Sequence, residues 1–211
     1  MKIEGFFFNK FDSFNLNVSF NFNSKKIIGL IGESGSGKST FLKCMSGLVR
    51  PMHGYLRFND KLLFDSKEKI CIASNNRRIG HVLQNPILFN HISLFGNIKL
   101  FINPLSFKYY DLNQLLLLLN LNKIKKNDVK LSGGERQRIS ILQSLLINPE
   151  LLLFDESLSS QDIRMKHILV SLFKNLNFFY KVPIIYVSHD ILNIEAFVDE
   201  VYYINNGKLL N

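Results

Sequence analysis

The 211-residue sequence contains no tryptophan, only two cysteines and only five prolines. Cys44 and Cys71 are too few and too far apart to indicate a disulfide framework or a metal site, so we expect buried free thiols. The longest apolar runs, such as 115–119, fall far short of the roughly 18 residues that a membrane-spanning helix needs. The start of the chain lacks the basic and then apolar pattern of a signal peptide. These absences predict a chain that stays in the cytosol.

Acidic residues are in the minority, because 26 lysines and arginines face 17 aspartates and glutamates and leave a formal net charge of +9. A concentrated basic patch would indicate a nucleic-acid partner. Here the basic residues are scattered, and the densest run, 123–130, is interrupted by asparagine and aspartate. The pattern favours a solvated basic surface, and we expect no nucleic-acid partner.

Apolar spacing predicts the order of strands and helices. Alternation from Leu16 to Phe22 predicts a half-buried antiparallel strand, and the apolar run 27–31 predicts a fully buried one. The other predicted elements are a helix over 38–45, a hairpin of 55–58 and 61–64, a strand over 79–83, helices over 112–121 and 135–147, strands over 151–154, 184–187 and 201–204, and a tight turn at 206–207.

These elements fit a single α/β domain over residues 1–211, a length that suits one domain with a sizeable core. Buried strands separated by helices make up a core of 1–85 and 149–211. Between them, from about 86 to 148, the apolar spacing is mostly helical. We therefore expect a doubly wound core with a helical insert.

The segment 32–39 fits the pattern Gly-x4-Gly-Lys-Ser, in which backbone N–H groups curl around phosphate oxygens. It follows a predicted buried strand and opens a predicted helix, whose N-terminus adds partial positive charge. Lys38 should reach the β- and γ-phosphates of ATP, and the Ser39 hydroxyl should bind Mg²⁺. The nucleotide-binding candidates are Gly32, Glu33, Ser34, Gly35, Ser36, Gly37, Lys38, Ser39 and Thr40.

A later apolar strand ends in two carboxylates, Asp155 and Glu156. Alone, this arrangement is a common strand followed by an acidic turn. Beside a phosphate loop, Asp155 is placed to hold Mg²⁺, and Glu156 is placed to orient or deprotonate an attacking water. The combination predicts ATP hydrolysis.

The most specific motif is the octapeptide 131–138, Leu-Ser-Gly-Gly-Glu-Arg-Gln-Arg. Together with the phosphate loop and the acidic strand end, it resembles the ATP-binding-cassette (ABC) ATPases. The resemblance implies a P-loop NTPase fold, with a RecA-like core of mostly parallel sheet, an N-terminal antiparallel β-subdomain and an inserted helical subdomain. It also implies a homodimer or paired cassette, in which the second chain supplies the signature residues. These are Ser132, Gly133, Gly134 and Gln137.

The resemblance assigns further roles to single residues. Gln84 is implied as a catalytic loop residue that also contacts Mg²⁺, and His189 as the catalytic switch histidine. An aromatic residue near the start should stack on adenine, and Phe11 or Phe8 lies in the matching region. The implied catalytic set is Glu156, His189 and Gln84, and the implied Mg²⁺ set is Ser39, Gln84 and Asp155.

The sequence resembles the molybdate-importer ATPases in particular, and the resemblance lies in segments 46–54, 63–66, 77–80, 88–91 and 182–189. This implies a peripheral subunit on the cytoplasmic side of the cell membrane that drives integral permease subunits and works indirectly with a solute-binding protein. Importers of sulfate, polyamines or sugars share many of these segments. Outside transport, the alternative is a soluble ABC ATPase of DNA repair, chromosome structure or translation, although the short insert and single cassette favour transport.

Several positions depart from the family pattern. Ser157 stands where proline is usual, 159–162 reads Ser-Ser-Gln-Asp where Ser-Ala-Leu-Asp is usual, and His81 stands where tyrosine is common. Because this loop bridges the two ATP sites of a dimer, we expect site coupling to be the property most affected. The chain also ends at Asn211 without the oxyanion-binding domain of the molybdate-importer ATPases, so we expect no regulation by cytosolic oxyanion.

Overall fold

The computed structural model describes residues 2–11, 14–89, 91–102, 110–122, 131–189, 194 and 197–210. The described strands are β1 (Lys2–Lys10), β2 (Asn15–Asn23), β3 (Ile27–Ile31), β4 (His53–Phe58), β5 (Lys61–Asp65), β6 (Ile70–Cys71), β7 (Ile79–Val82), β8 (Leu151–Asp155), β9 (Ile184–Ser188), β10 (Glu200–Asn205) and β11 (Lys208–Leu210). The described helices are α1 (Lys38–Ser46), α2 (Leu94–Lys99), α3 (Leu112–Leu118), α4 (Gly133–Leu146) and α5 (Ile163–Tyr180), with a 3-10 turn at Ser74–Asn76.

The first sheet is antiparallel and has the strand order β2-β1-β4-β5-β6. Strand β2 is buried at every second residue, as its alternation predicts. The predicted hairpin between β4 and β5 turns at Asn59, whose φ of 51° lies in the left-handed region that asparagine tolerates. The N-terminal antiparallel subdomain is therefore present.

The second sheet has the order β11-β10-β3-β9-β8-β7, and only the pairing of β11 is antiparallel. Strands β3, β8 and β9 are buried along their whole length, which is why their sequences are continuous apolar runs. Parallel strands end at the same edge of a sheet. The loops that follow β3, β7, β8 and β9 consequently meet there.

The parallel sheet separates two hydrophobic clusters. Leu151 and Leu153 contribute to the cluster that contains α1 and the antiparallel sheet. Leu152 and Phe154 contribute to the cluster that contains residues of α2, α3, α4 and α5. Successive residues of β8 thus pack on opposite faces, and the predicted P-loop NTPase architecture is confirmed.

Two expectations need adjustment. Helix α4 begins at Gly133, two residues before the predicted start, because Ser132 caps it. Cys71 is exposed on the short strand β6, whereas Cys44 is buried, so the prediction of two buried thiols was wrong for Cys71. Among the residues described, no helix is both long and apolar enough to cross a membrane.

Candidate functional site

The phosphate loop joins β3 to α1 by a tight backbone path. A Cβ atom on Gly32 would lie 2.2 Å from the carbonyl oxygen of Ile204, so no larger residue fits there. Gly37, which caps α1, has a φ of 106° that also favours glycine. These two glycines bring the loop close to the sheet edge and start α1 directly at Lys38.

Lys38 is only 5% exposed, and its ammonium is held by the loop itself. Its Nζ donates hydrogen bonds to the carbonyl oxygens of Gly32 and Glu33, each at 2.7 Å. Burial lowers the pKa of Lys38, and the nearby carboxylates of Glu156 and Asp155 oppose that shift. A partly desolvated ammonium within this loop suits a polyphosphate ligand.

Ser39 and Asp155 bring the phosphate loop and the end of β8 together. The Ser39 Oγ donates to Asp155 Oδ1 at 3.0 Å. Burial raises the pKa of Asp155, and the hydrogen bond from Ser39 partly offsets this. Among the described residues, the buried Ser36 hydroxyl has no hydrogen-bond partner, so the loop keeps an unused donor. The oxygen atoms of Ser39 and Asp155 are ligands of the kind that Mg²⁺ prefers, and the unused hydrogen-bond donor of the loop suits a phosphate chain.

Glu156 is the point at which three loops meet. One carboxylate oxygen accepts a hydrogen bond from Gln84 Nε2 at 2.9 Å, and the other lies 3.1 Å from His189 Nδ1. Its backbone has a φ of 50°, an uncommon value for glutamate, and its N–H donates to the carbonyl of Val187. The structure therefore brings together the three residues predicted to be catalytic, from the ends of β7, β8 and β9.

A cavity of about 250 Å³ lies at this meeting point, lined by Phe14, Gln84, Glu156 and the phosphate-loop residues Ser34, Gly35, Gly37, Lys38, Ser39 and Thr40. A larger cavity of about 880 Å³ lies on the antiparallel sheet and contains none of these residues. The smaller cavity is the candidate site, because it holds the phosphate loop and the carboxylate.

The aromatic residue at this cavity is Phe14, whereas Phe11 or Phe8 was expected there. Its ring lies 3.1 Å from the position of a Cβ on Gly37. Phe11 stacks on Phe14 with ring centroids 5.0 Å apart and does not line the cavity in the part of the chain described. Phe8 stacks on His53 instead. Nothing in the local sequence distinguishes Phe14 from the other phenylalanines near the start, so the tertiary structure was needed to identify it.

The signature residues lie at the N-terminus of α4. Ser132 Oγ accepts from the Glu135 N–H at 3.2 Å, and the Glu135 carboxylate accepts from the Ser132 N–H at 2.8 Å, which makes a capping box. A Cβ on Gly133 would meet no described atom within 4 Å. Ser132 and Gly133 are exposed, so the helix end presents its first N–H groups outward.

Gln137 has a different environment from the other signature residues. It is 3% exposed, and its Nε2 donates to the carbonyl of Leu83 at 3.1 Å. Leu83 directly precedes Gln84. The side chain of Gln137 therefore connects α4 to the loop that carries Gln84 rather than facing outward with Ser132.

Comparison with known proteins agrees with this geometry. The model of a family described as ABC transporter matches residues 16–159. The molybdenum import ATP-binding protein ModC of Mannheimia succiniciproducens is 37% identical over 195 residues, covering 92% of this chain and 55% of that protein. ModC of Pasteurella multocida is 35% identical, covering 88% and 53%. The chain thus spans about half the length of these relatives.

Solved structures give the same assignment. A dimeric ATP-binding cassette in a post-hydrolysis state with ADP and phosphate superposes with a TM-score of 0.81 at 26% identity, covering 100% of this chain and 97% of that one. An ATP-binding subunit of an ABC transporter superposes with a TM-score of 0.84 at 24% identity, which supports the fold. Since the family match covers well over half of the sequence and includes the phosphate loop, the octapeptide and Glu156, this chain belongs to the ABC transporter family.

Proposed function

We propose that this chain is the ATP-hydrolysing subunit of an ABC transporter, and that it drives a membrane permease for molybdate or a related oxyanion. The observation that carries the proposal is the position of the Glu156 carboxylate. It is fixed by Gln84 and His189 beside the Ser39–Asp155 pair and the phosphate loop. This arrangement joins a phosphate site to a base that can act on water.

The residues around the cavity would bind different parts of ATP and its metal ion. Lys38, Ser36 and the loop N–H groups would bind the phosphates, and Phe14 would contact the adenine. Ser39 and Asp155 would hold Mg²⁺, with Gln84 at its edge. When bound, the metal would neutralise charge that develops on the transferred phosphoryl group.

Glu156 would accept the proton of the attacking water. One carboxylate oxygen accepts a hydrogen bond from Gln84, and the other lies 3.1 Å from His189 Nδ1. These two contacts would restrict the rotation of the carboxylate and keep it available to a water beside the phosphate loop. His189 would therefore orient the base, and its position would depend on the loop after β9.

A paired substitution tests this role. Glu156→Gln should bind ATP and lower the rate of hydrolysis by at least about 100-fold, because the amide cannot take the proton. Glu150→Gln is the matched control: it removes the same charge just before β8, where the carboxylate only forms a surface ion pair with Arg78 at 3.4 Å. Near-normal turnover of the Glu156→Gln enzyme would contradict the proposal.

The signature residues support a two-chain ATP site. Within the described part of the chain, no octapeptide residue lines the cavity at the phosphate loop. Yet the N-terminus of α4 presents exposed N–H groups suited to an anion. We therefore place Ser132, Gly133 and Gly134 against the γ-phosphate of a second copy, in a two-fold arrangement that buries two ATP molecules.

The structure indicates how to test the shared site. Gly133→Asp introduces a negative charge at a position with open space, whereas a Cβ on Gly134 would lie 3.1 Å from the carbonyl oxygen of Ser160. A mixture of Lys38→Ala and Gly133→Asp chains would form dimers with one doubly defective site and one intact site. Activity above that of either variant alone is expected, and Gly133→Ala is the uncharged control. Absence of rescue in dimers shown to be mixed would argue against shared sites.

The proposed permease contact is a docking patch of Ile87, Phe89 and Phe95, which are 75%, 45% and 46% exposed. The patch begins three residues after Gln84, so a displacement of Ile87 and Phe89 would be transmitted to the Glu156 carboxylate through one short loop. Asn97 holds this segment in place, with Oδ1 accepting from the Phe89 N–H at 2.8 Å and Nδ2 donating to the Phe89 carbonyl at 3.0 Å. Contiguous exposed apolar residues are typical of protein contacts.

Cysteine crosslinking tests the docking patch. Ile87→Cys should crosslink to the permease in a purified complex, in a Cys71→Ser background that removes the exposed native thiol. Phe178→Cys, at a residue 67% exposed on α5, is a control of similar exposure. Crosslinks from Phe178→Cys but not from Ile87→Cys would place the permease elsewhere.

The proposed cargo and location rest on the ModC relatives, whose names state molybdenum import. We place the subunit at the cytoplasmic face of the cell membrane, with permease subunits and, through them, a solute-binding protein. Vesicles that contain the complete transporter should hydrolyse ATP faster with molybdate than with sulfate at equal concentration. Stimulation by an unrelated sugar or polyamine alone would reassign the cargo and leave the ATPase assignment unchanged.

A further inference from the structure

The loop 157–162, here called the bridging loop, joins the catalytic Glu156 to helix α5. It is fixed at both ends: Ser159 Oγ donates to the Glu156 carbonyl at 2.9 Å, and Asp162 caps α5 by accepting from the Met165 N–H at 2.8 Å. Between these contacts lies Gln161, at the position where the sequence departs from the leucine of related cassettes. Gln161 is 6% exposed, so its polar amide is buried.

The buried amide of Gln161 bonds to two successive turns of α4. Its Nε2 donates to the carbonyl of Gly134 at 3.0 Å, and its Oε1 accepts from Arg138 Nη1 at 2.9 Å. The backbone also packs closely here, because a Cβ on Gly134 would lie 3.1 Å from the Ser160 carbonyl oxygen. A leucine at position 161 could form neither hydrogen bond.

We infer that Gln161 is a positioning residue that locks the signature end of α4 to the bridging loop of the same chain. The signature and Glu156 of one chain would then move together as a unit. The inference rests on the proposed function, in which the signature serves the ATP of the partner chain while Glu156 serves the ATP of its own. Gln161 thereby links the two ATP sites through a single side chain.

Charge and burial strengthen this lock. The hydrogen bond from Arg138 is charge-assisted, and such bonds are stronger than those between neutral groups. Arg138 Nε is buried and has no hydrogen-bond partner among the described residues, so Gln161 Oε1 is the side-chain acceptor that the structure shows for this guanidinium. Removing Gln161 would leave the partly buried Arg138 guanidinium and the Gly134 carbonyl without these partners.

Hydrogen exchange of the nucleotide-free chain tests the lock directly. Gln161→Leu and Gln161→Met remove both hydrogen bonds, and the methionine nearly keeps the shape of the side chain. In both variants the amides of 135–138, which are hydrogen-bonded in the first turns of α4, should exchange at least about fivefold faster. Gln143→Leu is the matched control, because it removes a buried side-chain hydrogen bond from the middle of the same helix, where Gln143 Nε2 donates to the Asn97 carbonyl at 3.1 Å. This variant should not speed exchange at the signature end of α4.

The functional consequence is measured separately. Without the lock, the signature and Glu156 lose their fixed relation, so kcat for ATP should fall about 3- to 10-fold while KM changes little. Exchange at 135–138 that is unchanged in both Gln161 variants would overturn the inference. So would wild-type protection in Gln161→Met with loss in Gln161→Leu, because shape rather than hydrogen bonding would then hold the loop.

The two proposals fail in distinguishable ways. If the wild-type chain neither pairs nor hydrolyses ATP, the proposed function fails, and the exchange measurement on the single chain still decides whether the lock exists. If the wild type pairs and hydrolyses ATP while both Gln161 variants keep its exchange pattern and kcat, only the lock fails.

Discussion

Arg77 should be a principal source of stability in this fold, because it is 2% exposed and ties two elements together. Its Nη1 donates to the carbonyls of Cys44 and Met45, at 3.1 and 2.7 Å, and its Nε donates to the carbonyl of Ile72 at 2.8 Å. The first two carbonyls end helix α1, which starts at the phosphate loop. The third belongs to the segment after β6, in the antiparallel subdomain.

The cost of Arg77→Met follows from these contacts. Burial lowers the pKa of Arg77, because the charged guanidinium loses hydration there. The substitution removes that cost, but it also takes the donor from buried carbonyls, each worth about 1–3 kcal/mol when left unsatisfied. The Cys44 carbonyl still accepts a hydrogen bond from the Gly47 N–H, so the carbonyls of Met45 and Ile72 account for most of the loss in stability. We expect a loss of about 3 kcal/mol in the free energy of unfolding.

Urea unfolding measures this loss, and circular dichroism is the suitable probe because the chain has no tryptophan. The midpoint should fall by about 1–2 M at an unchanged slope. Arg77→Lys should recover part of the loss, since an ammonium cannot reproduce the planar fork. The neighbouring Arg78→Met is the control, because Arg78 is exposed and pairs only at 3.4 Å. A midpoint for Arg77→Met that matches this control would show that desolvation cancels the three hydrogen bonds and would refute the reasoning.

Three further predictions concern other parts of the fold. Burial lowers the pKa of His81 to about 4, so the unfolded chain binds a proton more readily than the folded chain. The free energy of unfolding should therefore fall as the pH drops below about 6.5. His81→Phe should remove about 2 kcal/mol of the decrease in this free energy between pH 7 and pH 5, as measured by urea unfolding. Asn97→Ala should speed hydrogen exchange around Phe89 and weaken permease binding in pull-down assays, and unchanged exchange would contradict the anchoring role. One thiol, Cys71, should react quickly with a thiol reagent, whereas burial raises the pKa of Cys44 to about 12 and should protect it until the chain unfolds.

Local sequence patterns predicted most of the elements. The buried run 27–31 became β3, and the turn at Asn206-Gly207 has the positive φ angles of 46° and 71° that a two-residue hairpin requires. Helix α5 was not predicted as an element, although it is the longest helix described. Its buried residues Met165, Leu169, Leu172, Phe173 and Leu176 recur at helical spacing, so the sequence did contain the signal for this helix and the prediction missed it.

The sequence by itself determined the chemistry of the site, because each motif is a short segment whose backbone path and donor atoms follow from adjacent residues. The glycines of 32–37 and the capping box at Ser132 are of this kind. Only the tertiary structure decided which separate segments meet. Strand order brings Gln84 to Glu156 across 72 positions and selects Phe14 over Phe11 at the cavity. The bonds of Gln161 to α4 likewise depend on packing between distant segments, which no local periodicity encodes.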